Sequence, residues 1–123
     1  MNKGFNNLEA REILENNDNI LKLMFTIPPE SLYFEGHFPG DPILPAVAQV
    51  DIVLNFASRY FGTGIAVTKI KRMKFTKIIR PSFTILLRIE KKENVLNFKL
   101  TTQNESEIYS SGAIYLDSAA EKM

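Results

Sequence analysis

The 123-residue sequence has no cysteine and only one histidine. Disulfide bonds, thiolate metal sites and metal sites built from several imidazoles are therefore excluded, and a reducing compartment is the natural expectation. No apolar run approaches the ~20 residues that a membrane-spanning helix requires. Met1–Ala10 also lacks the basic start and apolar run of a signal peptide. These absences predict a cytoplasmic protein without a membrane span.

The composition is that of an ordinary globular domain. Hydrophobic residues make up 45% of the chain and charged residues 24%, which argues against disorder. There is no internal repeat, low-complexity tract or linker, so residues 1–123 are expected to form a single domain. Residues 1–6 and 118–123 are expected to be loose ends.

Positive charge is concentrated in one segment. Between Thr63 and Arg88 the sequence holds seven bases and no acid, whereas the remaining eight bases are outnumbered by all fourteen acids. Such a segment can attract an acidic partner, or it can be the solvated face of a strand, and the residues leave both interpretations open. No nucleic-acid-reading module accompanies the bases, so no nucleic-acid partner is predicted.

Hydrophobic patterning predicts strands on both sides of one long helix. Leu8–Leu14 is compatible with helix or strand, but the turn-forming run Asn16–Asn19 favours a hairpin with the strand Ile20–Ile27. Further strands are predicted later in the chain, over Ile65–Ile79 with a bulge near Arg72, Phe83–Glu90, Val95–Thr102 and Ile108–Leu116.

The helix is predicted over Ala46–Phe61. Pro45 suits its first turn because the missing N–H would be unbonded there, and Gly62 is a suitable left-handed cap after the last turn. The helix is apolar on almost all sides, a pattern typical of a buried helix. The order of elements therefore predicts an α+β fold in which a curved antiparallel sheet wraps one long central helix.

Asp51 is an anomaly in this apolar helix. Burying a carboxylate is costly unless the group is paired or protonated. Removal from water favours the protonated form, which can donate a proton. Asn55 and Ser58 fall on the same helical face as Asp51. This polar stripe is either part of an active site or a structural hydrogen-bond network, and the residues alone do not decide between the two.

His37 lies in a loop stiffened by glycine and proline, shortly before the predicted helix. Its ordinary pKa suits a general base near neutral pH. A base, a helix N-terminus and an acid within 15 residues form the set that elimination next to a carbonyl requires. The N-terminal amides of the helix can stabilise negative charge that develops on the carbonyl oxygen. No rival catalytic or nucleotide-binding motif is present.

The run Tyr33–Asp51, which contains Gly36-His37-Phe38-Pro39 and Ile43-Leu44-Pro45, carries a family resemblance. It closely resembles the active-site signature of bacterial 3-hydroxyacyl-[acyl-carrier-protein] dehydratases of the hot-dog superfamily. The chain length and the Ile-Leu-Pro…Gln-Val-Asp sequence are most similar to the small aryl polyene-type (ApeI-like) dehydratases. Ile70–Pro81 is similar to the strand that follows the helix in that family, so the resemblance covers most of the chain.

The resemblance implies a hot-dog fold and a homodimer, with higher oligomers and hetero-oligomers left open. Each active site lies at the subunit interface, where His37 of one chain and Asp51 of the other form the acid–base pair. The implied substrate is a 3-hydroxyacyl thioester on the phosphopantetheine arm of an acyl carrier protein. His37 takes the C2 proton, the Ala46 amide polarises the carbonyl, and Asp51 donates a proton to the leaving hydroxyl. This chemistry needs no metal or redox cofactor.

Three positions depart from the family pattern. Ala46 stands where glycine is usual, and Asn55, which is shorter but still able to bond to Asp51, stands where glutamine is frequent one helical turn after the acid. Pro81-Ser82 replaces a Pro-Gly turn, a change expected to matter little. The residues implied to bind the substrate are Phe38, Pro45, Ala46, Val47 and Asn55.

The basic segment has an implied use in the same family context. It would dock the acidic carrier protein, and its candidate docking residues are Lys69, Lys71, Arg72, Lys74, Lys77 and Arg80.

Two other functions are compatible with a hot-dog fold. One is thioester hydrolysis, in which the acid would direct water at the thioester carbon and release a free carrier thiol. The other is a non-catalytic subunit that binds acyl chains or supports an active partner. The presence of both His37 and Asp51 favours dehydration over the silent subunit.

Overall fold

The computed structural model describes residues 8–34, 42–64 and 66–117. Within these residues the chain forms six strands, one α-helix and a short 3-10 turn at Leu32–Phe34. The strands and the helix, in chain order, are β1 (Glu12–Asn16), β2 (Ile20–Thr26), α1 (Ala46–Phe61), β3 (Val67–Phe75), β4 (Thr84–Lys92), β5 (Val95–Thr102) and β6 (Ile108–Leu116).

The strands form one sheet in the order β1-β2-β4-β5-β6-β3, and every neighbouring pair is antiparallel. Tight hairpins join β1 to β2, β4 to β5 and β5 to β6. The chain leaves the sheet after β2, forms α1, and returns as β3 at the far edge beside β6. The α+β class is confirmed, and β1 and β3 are the two edge strands of the described sheet.

The core lies between α1 and one face of the sheet. β2 alternates fully buried and partly exposed residues, with Leu21, Leu23 and Phe25 turned inward. α1 contributes Ile52 and Phe56, and the ring of Phe56 lies 5.3 Å from that of Phe25. Each such buried side chain contributes roughly 1.5–3 kcal/mol. This packing fixes the position of α1 on the sheet and hence the position of its polar residues.

The helix has the boundaries that the sequence predicts. Pro45 has extended dihedral angles (φ −72°, ψ 161°) and stands one residue before the helix, where its carbonyl accepts the amides of Ala48 and Gln49. The amides of Ala46 and Val47 therefore lie ahead of the first helical hydrogen bond and have no backbone acceptor among the described residues. At the other end Gly62 takes the predicted left-handed conformation (φ 73°).

α1 is buried on one face only, which corrects the expectation from its pattern. The sheet covers Ile52, Val53 and Phe56, but Val47 on the opposite face is 76% exposed and Leu54 is partly exposed. The physical reason is that a single sheet covers one side of a helix. An apolar pattern all round therefore indicates a second surface that covers the remaining face.

Two backbone features lie where the sequence places irregularities. The register of β3 on β6 shifts between Lys71 and Lys74, and Arg72 has a positive φ of 55°, so the predicted bulge is confirmed. Ser82 also has a positive φ, of 71°. Replacing the usual glycine by serine therefore carries a strain of about 1–2 kcal/mol, and the expectation that this change matters little stays a prediction.

Among residues 8–34, 42–64 and 66–117, no helix is both long and apolar enough to span a bilayer. The 16-residue α1 is the longest helical segment in these ranges.

Candidate active site

Asp51 lies in the second turn of α1 and is half-buried. Its Oδ2 atom accepts a hydrogen bond from the Tyr33 hydroxyl at 2.8 Å and another from Asn55 Nδ2 at 3.1 Å. Asn55 Nδ2 also donates to the backbone carbonyl of Asp51 at 2.9 Å. The carboxyl group is therefore held by two side chains that reach it from different elements.

The local sequence explains how these side chains meet. Asn55 follows Asp51 by four residues, a spacing that puts the two side chains side by side on a helix. Tyr33 comes from the 3-10 turn after β2, where its backbone amide donates to Ser31 Oγ at 3.2 Å and the amide of Phe34 donates to the Ser31 carbonyl at 3.1 Å. The turn is thus hydrogen-bonded internally and presents the Tyr33 ring, only 3% exposed, to α1.

The polar stripe predicted from helical spacing is confirmed in part. Asp51 and Asn55 are in contact, as the prediction requires. Ser58 contributes its backbone carbonyl to the Gly62 cap, and its hydroxyl forms no hydrogen bond within the described ranges. The network is therefore built from Asp51, Asn55 and Tyr33.

The Tyr33 hydroxyl stays protonated because of its surroundings. Burial makes the largest contribution to the raised pKa of Tyr33. The hydrogen bond to Asp51 and the negative charge of Asp51 raise this pKa further. Tyr33 is consequently a hydrogen-bond donor to Asp51 over the whole physiological pH range.

A groove of about 300 Å³ opens at the N-terminus of α1. Pro45, Ala46 and Gln49 form one wall, and the chain from Phe75 to Ile78 forms the other. Two of the predicted substrate-binding residues, Pro45 and Ala46, therefore line the groove. The positive end of the helix dipole faces the groove as well, which suits an oxygen atom that gains negative charge.

The other predicted site residues are distributed differently. Val47 lies on the exposed face of α1, and Asn55 contacts Asp51 rather than the groove. His37 and Phe38 lie outside the described residues. The pairing of His37 with Asp51 and the role of Phe38 therefore stay predictions.

The predicted docking bases do not form one patch. Lys69 and Lys71 point away from the core, with their amino groups 4.9 and 5.7 Å from the centre of the Tyr115 ring. Lys74 lies on the same outer face of β3, opposite Ser111. Arg72 occupies the bulge between Lys71 and Lys74.

Two of the bases follow β3. Lys77 lines the groove beside α1 and forms an ion pair of 2.6 Å with Glu107. The hydrogen bond and the charge of Glu107 raise the pKa of Lys77, so this residue remains a cation. Arg80 is half-buried. Lys77 is thus the base that lies in the wall of the groove.

Comparison with known families decides the classification. The family model of the ApeI-like dehydratases (ApeI dehydratase) matches residues 13–113. The chain belongs to the ApeI-like dehydratase family. The resemblance in the run Tyr33–Asp51 is thereby confirmed over most of the chain.

The ApeI-like chain is also similar to individual dehydratases. It is 29% identical over 107 residues to the 3-hydroxyacyl-[acyl-carrier-protein] dehydratase FabZ of Lactiplantibacillus plantarum, with 68% of this chain and 73% of that protein covered. A FabZ of Levilactobacillus brevis is 37% identical over 65 residues, with 47% of this chain and 44% of that protein covered. The predicted function, dehydration of 3-hydroxyacyl thioesters, is supported by these relatives.

Among solved structures, the dehydratase heterocomplex ApeI:P from Xenorhabdus doucetiae contains a chain that superposes with a TM-score of 0.77 at 27% identity. The match covers 88% of this chain and 96% of that one. A hypothetical thioesterase from Streptococcus pneumoniae, solved with coenzyme A, reaches a TM-score of 0.60 at 11% identity over 93% of this chain and 88% of that one. That likeness shows the fold alone, and the predicted hot-dog fold is confirmed.

Tyr33 is the site residue to which the sequence assigned no role. It stands in the apolar run Leu32-Tyr33-Phe34 and is 18 residues before Asp51. A buried tyrosine needs a hydrogen-bond partner for its hydroxyl. A tyrosine between two apolar residues could therefore have indicated a buried hydroxyl with a partner elsewhere in the fold. The partner itself depends on how the 3-10 turn packs against α1.

The hydrogen bond between Tyr33 and Asp51 predicts a specific tyrosine titration. In the folded protein, ultraviolet absorbance should show tyrosines that ionise at a higher pH than free tyrosine, because burial raises the pKa of both Tyr33 and Tyr109. Asp51→Asn should shift the Tyr33 component to lower pH, since a neutral neighbour no longer disfavours the tyrosinate anion. Tyr33→Phe should remove that component.

The matched control for this titration is Asp18→Asn in the exposed β1–β2 turn, which should leave the curve unchanged. Circular dichroism at each pH restricts the comparison to folded protein. An Asp51→Asn curve that superposes on the wild-type curve would contradict the hydrogen bond.

Proposed function

We propose that this ApeI-like chain dehydrates 3-hydroxyacyl groups carried on an acyl carrier protein, giving 2-enoyl thioesters, and that Asp51 is its proton donor. The observation that carries the proposal is the position of Asp51. A carboxyl group stands half-buried on an apolar helix, held by Tyr33 and Asn55, in a chain of a dehydratase family. A carboxyl group held in one orientation by two hydrogen bonds is suited to a proton transfer that requires a defined geometry.

Elimination needs a proton removed from C2 and a proton given to the hydroxyl on C3. His37 is proposed as the base, because neutral imidazole accepts a proton near neutral pH. Asp51, in its protonated form, donates to the leaving hydroxyl and releases it as water. The electrons of the C2–H bond form the C2–C3 double bond, and return of the proton from His37 to Asp51 through solvent restores both groups.

The groove at the start of α1 supports a place for the thioester carbonyl. Ala46 lines this groove, and its amide lies ahead of the first helical hydrogen bond. Such an amide, at the positive end of a helix, stabilises the enolate-like charge that develops after C2 loses its proton. The alanine methyl group does not remove this donor, so glycine is not required for the proposed role.

The exposed face of α1 supports an assembly of two hot-dog subunits. Val47 is 76% exposed on α1, and Ile70 on the edge strand β3 is 42% exposed. An uncovered apolar helix face and a sheet edge without a second neighbouring strand are each suited to contact with a second subunit. The proposed assembly is a homodimer that shares two active sites. Because the ApeI:P dehydratase from Xenorhabdus doucetiae is a heterocomplex, a related second subunit is the other outcome of the test.

Docking of the carrier protein is proposed at the groove. Lys77 lies in the groove wall as a cation paired with Glu107, whereas Lys69, Lys71 and Lys74 are on the outer face of the sheet, away from α1. A base at the groove suits an acidic carrier whose arm must reach Asp51. The bases on the outer face add to long-range attraction rather than to contact at the site.

Product identity tests the proposed reaction. Incubation with 3-hydroxyacyl carrier protein, followed by mass spectrometry, should show loss of one water from the acyl group with the thioester intact. His37→Ala and Asp51→Asn should each reduce this rate by roughly 100-fold or more. Asp18→Asn, the same chemical change in an exposed turn, should retain the wild-type rate.

The other outcomes of that experiment are equally informative. Release of free acid and carrier thiol would identify a thioesterase and contradict dehydration. An unchanged acyl group across several chain lengths, also after addition of a related subunit, would favour a non-catalytic acyl-binding role.

A charged substitution on the exposed face of α1 tests whether this face forms the subunit interface. Val47→Asp should convert the dimer to monomers and abolish dehydration, because an unpaired carboxylate would be buried at the interface. Ile13→Asp on β1 is the matched control, since Ile13 is also exposed (46%) but lies on the opposite edge of the sheet. Sedimentation gives the mass of each variant, and a dimeric, active Val47→Asp protein would refute this interface.

A further inference from the structure

The two side-chain hydrogen bonds to Asp51 end on the same oxygen atom. Tyr33 and Asn55 both donate to Oδ2, at 2.8 and 3.1 Å, and no described residue donates to Oδ1. The orientation of the Asn55 amide is fixed by its second bond to the Asp51 carbonyl, because a flipped amide would turn an oxygen toward two acceptors. Oδ2 therefore accepts two side-chain hydrogen bonds and Oδ1 accepts none from a described residue, so the two oxygens of Asp51 are not equivalent.

We propose that Tyr33, together with Asn55, is a positioning residue for the dehydration: it holds Oδ2 as the anchored oxygen, so that the proton given to the leaving hydroxyl departs from Oδ1. The inference rests on the proposed function and deepens it. In the step, the Oδ1–H bond and the C3–O bond break, and the proton and the hydroxyl leave together as water. The C2–H electron pair becomes the C2–C3 double bond, while the C2 proton resides on His37.

The hydrogen bond from Tyr33 favours this step because its strength changes during the reaction. Before proton transfer, Oδ2 is the carbonyl oxygen of a neutral acid. After transfer, Oδ2 shares the negative charge of a carboxylate, and hydrogen bonds to charged acceptors are roughly twice as strong as neutral ones. An interaction that strengthens on the way to the transition state lowers the barrier instead of only tightening substrate binding.

The surroundings of Tyr33 suit a fixed donor. Tyr33 is 3% exposed. The hydrogen bond from its backbone amide to Ser31 Oγ stabilises the turn that carries it. Burial, and then the hydrogen bond and charge of Asp51, raise the pKa of Tyr33, so the hydroxyl does not lose its proton within the working pH range. The donor is in place before the substrate binds and needs no rearrangement during the reaction.

Tyr33→Phe tests the proposal because it removes the hydroxyl and keeps the ring. We expect kcat to fall about 10- to 100-fold, the loss that one hydrogen bond to a charged group represents, with KM changed less than about twofold. A purely structural role would disturb KM together with kcat, so a loss confined to kcat separates positioning from structure.

Tyr109→Phe is the matched control. Tyr109 is also buried, lies on β6 with its ring 6.2 Å from that of Phe83, and also has a pKa raised by burial. Its replacement should leave kcat and KM at their wild-type values. If Tyr33→Phe fails to fold, Asn55→Ala removes the other Oδ2 donor and should likewise lower kcat with little change in KM.

Failure of this inference is distinguishable from failure of the proposed function. An inactive Asp51→Asn variant combined with a wild-type kcat in Tyr33→Phe would overturn the positioning role and leave the dehydration mechanism standing. An active Asp51→Asn variant would overturn the mechanism itself, whatever Tyr33→Phe does.

Discussion

The packing of α1 against a single face of the sheet sets the position of every described residue in the site. Phe56 and Ile52 fix the helix on β2, and this contact turns Asp51 toward the border between the covered and the uncovered side. A carboxyl group at that border is half-buried, so it is out of bulk water yet open to an approaching substrate. The same geometry leaves Val47 exposed, so the proposed catalysis and the proposed assembly both depend on one helix.

Polar contacts within the site divide into two regions with different tasks. Around Asp51, Tyr33 and Asn55 supply donors to one oxygen and leave the other available for proton transfer. At the start of α1, the Ala46 amide and the helix dipole meet a groove whose rim carries Lys77. In the proposed mechanism, the first region contacts the leaving hydroxyl and the second contacts the thioester carbonyl.

Local signals in the sequence predicted the helix and the strands well. Contacts between residues far apart in the chain could not be predicted in the same way. Pro45 and Gly62 define both helix ends through backbone constraints that act within a few residues, and the bulge at Arg72 breaks a two-residue alternation. The exposed face of α1 was not predicted, because an apolar side chain looks the same whether a sheet or another subunit covers it. The contact between Tyr33 and Asp51 depends on packing of a turn 18 residues away, which no periodicity encodes.

Hydrogen exchange at C2 in deuterium oxide, followed together with water loss, tests most directly the claim that Asp51 donates the proton to the leaving hydroxyl. The account predicts that Asp51→Asn loses water at least about 100-fold more slowly than the wild type, yet still incorporates deuterium at C2, because His37 and the Ala46 amide remain. His37→Ala should do neither. Loss of water at the wild-type rate from Asp51→Asn would contradict the account.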